Sequence, residues 1–452
     1  MKRLGVQTSK ASENQKAKRE SIDDEELKSN KIPRVTPDPP KPFKAAVEVN
    51  QVEVGFSSEF DFAFDEDIEE IHRLHLDNSP KPTKSHLRVI PGVLSSLERV
   101  SPAECHIQFT YEKKTVGATL KDEWASLFPL LSPGMRVQVV LENGFGEEDS
   151  FEINRERNYF IVEPDVLIPS TLLSDSFSCL RRCILSLRTQ ASIEDKRPTS
   201  SLLVGSIAHE LVGHVLETGK CDSQVLEEKT QELIKENMVN LHACRTELSE
   251  VQENLSAIRE SLPAWTKRVF QTGAAVVEPS NKPQSSIFAD PMITLTPALD
   301  IEESVWSRTF GIKGKMDATV VVQGKGKDRP YKVIAPFELK TGKSTTSVSH
   351  RAQTIAYTLA LSDKYSTSIT LLILETPINS ALLFYVSVGD IYRIEATRRE
   401  LLGIVLQRNR AIIALKSTFS LPPTISNGHI CSTCFHKEYC LLYSEVFLVF
   451  LS

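Results

Sequence analysis

One stretch of this sequence, "GKMDATVVVQGKGKDRPYKVIAPFELK" at residues 314–340, holds two carboxylates and an amine at suggestive spacing: Asp317, Glu338 and Lys340. Two apolar runs flank a turn rich in Gly, Lys, Asp and Pro, which predicts a hairpin. The midpoint between Asp317 and Glu338 falls in that turn, so the two carboxylates are expected opposite each other across the ladder. Glu338 and Lys340, two apart, share one face, while Phe337 and Leu339 point the other way into a core. Hard carboxylate oxygens suit Mg²⁺ or Mn²⁺. Such an ion polarises a phosphoryl oxygen and lowers the pKa of an attacking water. The lysine can orient that water or offset charge on the phosphorane. The chemistry indicated is metal-assisted phosphodiester hydrolysis, although a salt-bridged surface hairpin would carry the same trio.

Two helices add further candidates. In "VGSIAHELVGH", Gly205, His209 and Gly213 recur every four residues and form one stripe, beside a buried stripe of Ile207, Leu211 and Val215. The small neighbours let a strand or ligand approach His209 closely, and imidazole is an acceptable partner at a Mn²⁺ or Mg²⁺ site. Gln353 and Tyr357 sit i, i+4 on the helix that follows Lys340. They are expected to aim at the strand ends, where both can hydrogen-bond a phosphate and the tyrosine can stack on a base. A polar helix face with one half-buried tyrosine is the plain alternative. Near the end, "CSTCFHKEYC" places Cys431, Cys434 and Cys440 at C-x2-C-x5-C spacing, one ligand short of a tetrahedral site. Spacing alone favours zinc.

The elements that must position these residues follow from the pattern along 452 residues. Residues 1–84 are rich in Lys, Glu, Ser and Pro and are expected to be a disordered tail. Within it, "FSSEFDFAFDEDIEEIHRL" alternates Phe56, Phe60, Phe62 and Phe64 with carboxylates. Such an island can dock on a basic groove, here a single-strand-binding protein, or simply be a solvated linker. Short strands with period-two alternation over 85–167 predict a small OB-like β-barrel. A helical pattern starts near "SDSFSCLRRC", where Ser174 or Asp175 could cap it, and dominates to about residue 275. Strands then include "GIKGKMDATVVV", "YKVIAPFELK", "SITLLILET" and "ALLFYVSV", with a basic helix over roughly 390–416. The fold class expected is α/β (α+β).

Composition excludes several classes. Apolar residues are 40% and charged residues 25%, enough for a sizeable core, and the net charge of −6 argues against overall basicity as a means of coating nucleic acid. No apolar run is long enough to span a membrane, and the N-terminus lacks a signal-peptide core. Clustered cysteines in a reducing compartment point to metal rather than disulfides. "HELVGH" is not a zinc-protease motif, because histidines five apart lie about 140° apart around a helix. "KTGKST" is not a phosphate-binding loop, because the position five before Gly342 is Phe337.

Taken together, "GIKGKMDATV", "FELKTGK", "GSIAHE", the Gln353/Tyr357 pair and the terminal cysteines resemble the RecB-like branch of the PD-(D/E)xK nucleases. More closely, they resemble the nuclease half of the eukaryotic replication helicase–nucleases, over residues 85–443 and including "CLRRCILS" and "DIEESVWS". The resemblance implies a PD-(D/E)xK restriction-endonuclease-like core with a helical insertion over 168–443. It implies an active site of His209, Asp317, Glu338 and Lys340 with Mg²⁺ (or Mn²⁺) on His209, Asp317 and Glu338. It also implies a [4Fe–4S] cluster on the three terminal cysteines and one upstream cysteine, Cys179, with Cys183 one turn away as the competing choice. Such a clamp would close a loop of about 250 residues and so be structural. The expected activity is cleavage of single-stranded or flap DNA in replication and end resection, in the nucleus or mitochondrion. The helicase half is expected to be missing after a divergent tail at 444–452, so no ATP-driven unwinding is expected. The alternative is a catalytically idle form that binds single strands or regulates the full-length enzyme.

Overall fold

A computed structural model of the chain describes residues 87–142, 150–189, 199–278, 286, 288–327, 330–342, 347–365, 380–417 and 420–451. The tail with its acidic-aromatic island, the strand expected at "SITLLILET" and the end of "KTGKST" lie outside the described residues.

Six strands form the first sheet: β1 (Arg88–Ser101), β2 (Glu104–Tyr111), β3 (Lys114–Lys121), β4 (Arg136–Leu141), β5 (Ser150–Ile153) and β6 (Tyr159–Val162). Their order is β5-β3-β2-β1-β4-β6. β1 is long enough to pair β4 through its first half and β2 through its second, with irregularities near Ser96 and Ser101 that let it bend. Gly92 stands where the strand turns over, and a Cβ there would lie 2.4 Å from the Phe109 ring. A 3₁₀ helix, Asp122–Leu130, inserts buried Trp124 between β3 and β4. The curled sheet has one strand more than the five of an OB-fold.

β7 (Ile168–Pro169) leads into α1 (Ser170–Ser176) and α2 (Leu180–Arg188). The helical pattern was expected to start at Ser174 or Asp175. Instead Pro169, with φ preset for a helix start, opens α1 five residues earlier, and the Cys179 sulfur caps α2 by accepting from the Arg182 N–H. α3 (Ser200–Thr218) is capped by Thr199 and stopped by Gly219 at φ +64°. α4 (Ser223–Glu236), α5 (Met238–Ala243) and α6 (Leu248–Lys267) follow in sequence.

The second sheet contains β8 (Ala274–Val277), β9 (Phe288–Leu295), β10 (Asp300–Ile301), β13 (Ala318–Gly326), β14 (Pro330–Lys340), β15 (Ser380–Tyr385) and β16 (Asp390–Glu395). β9 pairs both β8 and β13, so the order β9-β13-β14-β15-β16-β8 closes on itself and β10 hangs from β13. β14 and β15 are parallel, joined through α7 (Val348–Lys364), and α3 and α6 cover the apolar face, where Trp265 stacks on Phe384 at 4.6 Å. A third, small sheet has the order β11-β12-β7, with β11 (Ser304–Ser307) and β12 (Ile312–Lys315). The single strand expected from "GIKGKMDATVVV" is therefore broken at Met316–Asp317 and shared between two sheets.

α8 (Arg398–Lys416) begins with a Thr397/Glu400 capping box. The basic helix expected from residue 390 thus loses its first six residues to β16, whose pairing with β15 outweighs their helical pattern. α9 (Gly428–Ser432) and α10 (Lys437–Leu451) carry the terminal cysteines. α8 also fastens the barrel. The buried Arg408 guanidinium donates to the carbonyls of Val162, Glu163, Val166 and Gly311, and Asn409 donates to Phe160. Barrel residues such as Phe109 and Tyr159 share one hydrophobic core with Ile184, Leu359 and Ile412.

Candidate active site

Hairpin register puts the two carboxylates where period-two reasoning places them. Ala318 pairs Phe337, so Asp317 stands opposite Glu338 at the mouth of the β13–β14 ladder. Asp317 Oδ2 accepts from the Leu339 N–H at 2.6 Å, and Oδ1 meets His209 Nδ1 at 2.9 Å. One carboxylate thus ties the helix to the strand. The small residues flanking His209 allow this approach: Gly213 comes close to Ile301 and Gly205 to Thr341.

Lys340 Nζ donates to Glu338 Oε1 at 2.6 Å and to Gln353 Oε1 at 3.0 Å. Gln353 Nε2 donates to the same Glu338 oxygen at 2.8 Å and to the Tyr357 hydroxyl at 3.0 Å. Tyr357 in turn donates to the Lys315 carbonyl at 2.9 Å. The expected role of Gln353 and Tyr357 in holding DNA needs correction. They are only 5% and 1% exposed, so neither ring nor amide reaches a strand, and both instead orient Glu338, Lys340 and the β12 backbone.

Among the described residues, the one group of three candidate ligands with atoms within 4.8 Å of one another is His209, Glu302 and Asp317. Glu338, expected in that group, is turned instead into its bonds with Lys340 and Gln353. Glu302 escaped the sequence reading. It occupies a left-handed turn at φ +58° between β10 and β11, its N–H bonds the Asp317 carbonyl, and its carboxylate meets Lys315 Nζ at 2.5 Å. Its neighbour Glu303 is buried and structural, bonded to Thr319 and Lys364.

The site's electrostatics favour cations. Burial would lower the proton affinity of His209, but its bond to Asp317 and the charges of Asp317 and Glu338 overcome this and raise it. Burial, reinforced by the Asp317 charge and opposed by Lys340, pushes the Glu338 carboxyl up to about 7. The two carboxylate oxygens are of the kind that hold Mg²⁺ or Mn²⁺, and the ring nitrogen is a further donor better suited to a transition metal.

The cysteines are approached through α2. Arg181 donates to the carbonyls of Pro422 and Cys440 and to Ser444 Oγ, and Ser186 Oγ pairs with His436 Nε2 at 2.9 Å. These bonds hold the start of α10 against α2, whose cap is Cys179. Cys183 is fully buried in the core, and burial pushes its thiol up to about 12. Cys179 and the three terminal cysteines keep some exposure.

Comparison with known proteins follows the same lines. The family model for DNA replication factor Dna2 matches residues 110–322, a span that holds Cys179, His209, Glu302 and Asp317 but stops before Glu338. The DNA replication ATP-dependent helicase/nuclease JHS1 of Arabidopsis thaliana is 28% identical over 333 residues, covering 72% of this chain and 24% of that protein. The DNA replication ATP-dependent helicase/nuclease dna2 of Schizosaccharomyces pombe is 28% identical over 328 residues, covering 72% and 22%. DNA2 of Xenopus laevis is 29% identical over 343 residues, covering 72% and 31%. The chain thus corresponds to under a third of the length of these relatives. The chain is similar to DNA replication factor Dna2 over residues 110–322 and to part of the length of these helicase/nucleases.

Proposed function

We propose that this chain is a metal-dependent deoxyribonuclease of the PD-(D/E)xK kind that cuts single-stranded DNA, flaps included, in nuclear DNA replication and end resection. The observation that carries this reading is the convergence of His209, Asp317, Glu338 and Lys340 from α3, β14 and the β12–β13 junction. His209, Asp317 and Glu302 would hold the divalent ion, with Glu338 beside them. The ion would polarise the phosphoryl oxygen and acidify a water. Lys340, held by Gln353, would place an ammonium next to that water and the developing negative charge. The buried Tyr357 fixes Gln353 and so keeps Lys340 aimed.

We assign the second group, a [4Fe–4S] cluster, to Cys179, Cys431, Cys434 and Cys440, supported by the bonds that hold α10 on α2 and by the burial of Cys183. An absorption spectrum of anaerobically purified protein separates iron, with a broad visible band, from colourless zinc.

The test of function is Asp317→Ala with labelled flap DNA. Cleavage is expected to vanish while single-strand binding survives. Cleavage at the wild-type rate would remove the proposal.

A further inference from the structure

We infer that the outer face of the β11–β12 hairpin is a single-stranded DNA track, with Trp306 as a base-stacking platform that leads into the metal site. The inference rests on the nuclease reading above and adds to it the residues that hold the strand. Ladder pairs put Trp306 opposite Lys313 and Ser304 opposite Lys315. One step further along the same alternation come Glu302 and Asp317, joined by the Glu302 N–H to Asp317 carbonyl bond. The Lys315–Glu302 ion pair shows that these side chains share one face. That face therefore presents, in order, an aromatic ring, two ammonium groups and two metal-ligating carboxylates over roughly 13 Å of strand.

The opposite face is fixed. Val305 and Met316 are buried against Tyr357 and Leu361 of α7, and Ser307 and Thr309 bond both oxygens of Asp363. Gly314 lets the hairpin lie flat, since a Cβ there would sit 2.5 Å from the Tyr357 ring. Among the described residues, nothing covers the outer face in this way. Trp306 is 63% exposed, whereas Trp124 and Trp265 are buried. Beside it opens a recess of about 310 Å³ lined by Ser304, Trp306, Arg308, Asp363 and Lys364. Among the described residues Arg308 and Lys313 have no ion-pair partner, so two cations flank the exposed indole in a chain whose net charge is negative. Aromatic face plus unpaired cations is the chemistry of a single strand, whose bases stack without sequence preference while its phosphates meet lysine and arginine.

The chain contains three tryptophans and only this one is exposed, so the part of the indole emission that added DNA can quench by contact is that of Trp306. Oligo-dT is titrated into the full chain with Ca²⁺ in place of Mg²⁺, following emission and, with labelled DNA, anisotropy. Binding is expected to quench the indole. Trp306→Ala should weaken binding about 5- to 150-fold while Trp306→Phe largely restores it. Lys313→Ala should shallow the log–log salt dependence by about 0.7. Binding without quenching, an unchanged affinity in Trp306→Ala, or equal quenching by duplex DNA would each overturn the track and leave the nuclease reading standing. Quenching by oligo-dT in a protein that never cleaves would support the track and remove the nuclease reading.

Discussion

At the scale of single residues, the site is organised by competition for Glu338. Its carboxyl, pushed up to about 7 by burial and by Asp317, is shared among a proton, Lys340 and any bound cation. A raised carboxyl favours the neutral form. In the metal-free protein its contribution to stability is therefore full below about 4.5 and is lost as pH rises through 7. Cation binding has the opposite sense, since the ionised form must be present. Cleavage at limiting Mg²⁺ is expected to fall as pH drops from 8 to 6 and to recover when Mg²⁺ is raised. A pH profile at two metal concentrations checks this. Glu302→Gln should likewise raise the Mg²⁺ needed for half-maximal cleavage and weaken Mn²⁺ binding measured by paramagnetic resonance, because it removes one of three ligand atoms within 4.8 Å. An unchanged Mn²⁺ affinity would show that Glu302 serves only Lys315.

Individual elements explain what could and could not be read in advance. The opposition of Asp317 and Glu338 was legible because turn and alternation are local, and so was the pairing of Glu338 with Lys340. His209 was legible as a candidate from its glycine neighbours. Glu302 was not, since a left-handed turn residue acquires meaning only through its contact with Asp317, fifteen positions away. Gln353 and Tyr357 were found but misassigned. Spacing i, i+4 tells which residues share a helix face, not whether that face meets solvent or a neighbouring strand. β16 was read as helix because its mixed charged and apolar residues fit either period, and the pairing that decides it lies in β15. At this scale Gly314→Ala is informative. Overpacking against Tyr357 and Ser170 should cost about 1–3 kcal/mol, seen as a lowered melting temperature, and should loosen β12 from α7.

For the molecule as a whole, α8 is one fastener and the proposed cysteine cluster would be a second. Arg408 serves four carbonyls from two segments, residues 162–166 and Gly311. Arg408→Met removes these bonds, although the Glu163 and Gly311 carbonyls keep the Val166 and Ile168 N–H groups, and is expected to cost on the order of 1–3 kcal/mol, read as a lower urea midpoint. The cysteines make a different test. Cys105 and Cys183 are buried, with thiols pushed up to about 11 and 12, so both should resist alkylation at pH 8 until the chain unfolds. Cys179, Cys431, Cys434 and Cys440 should become reactive together when a chelator strips their metal. Mass-spectrometric mapping of labelled cysteines distinguishes the two groups.

The break at Met316–Asp317 has a mechanical meaning. Because the backbone passes there from the small sheet to the closed one, Asp317 is the rivet between the surface that would grip a strand and the pocket that would cut it. A base resting on Trp306 and the phosphate over Asp317 are then separated by a length of β-strand that does not stretch. A nuclease so built would measure as it cut, and the remnants it left from a homopolymer should cluster at one length rather than spread.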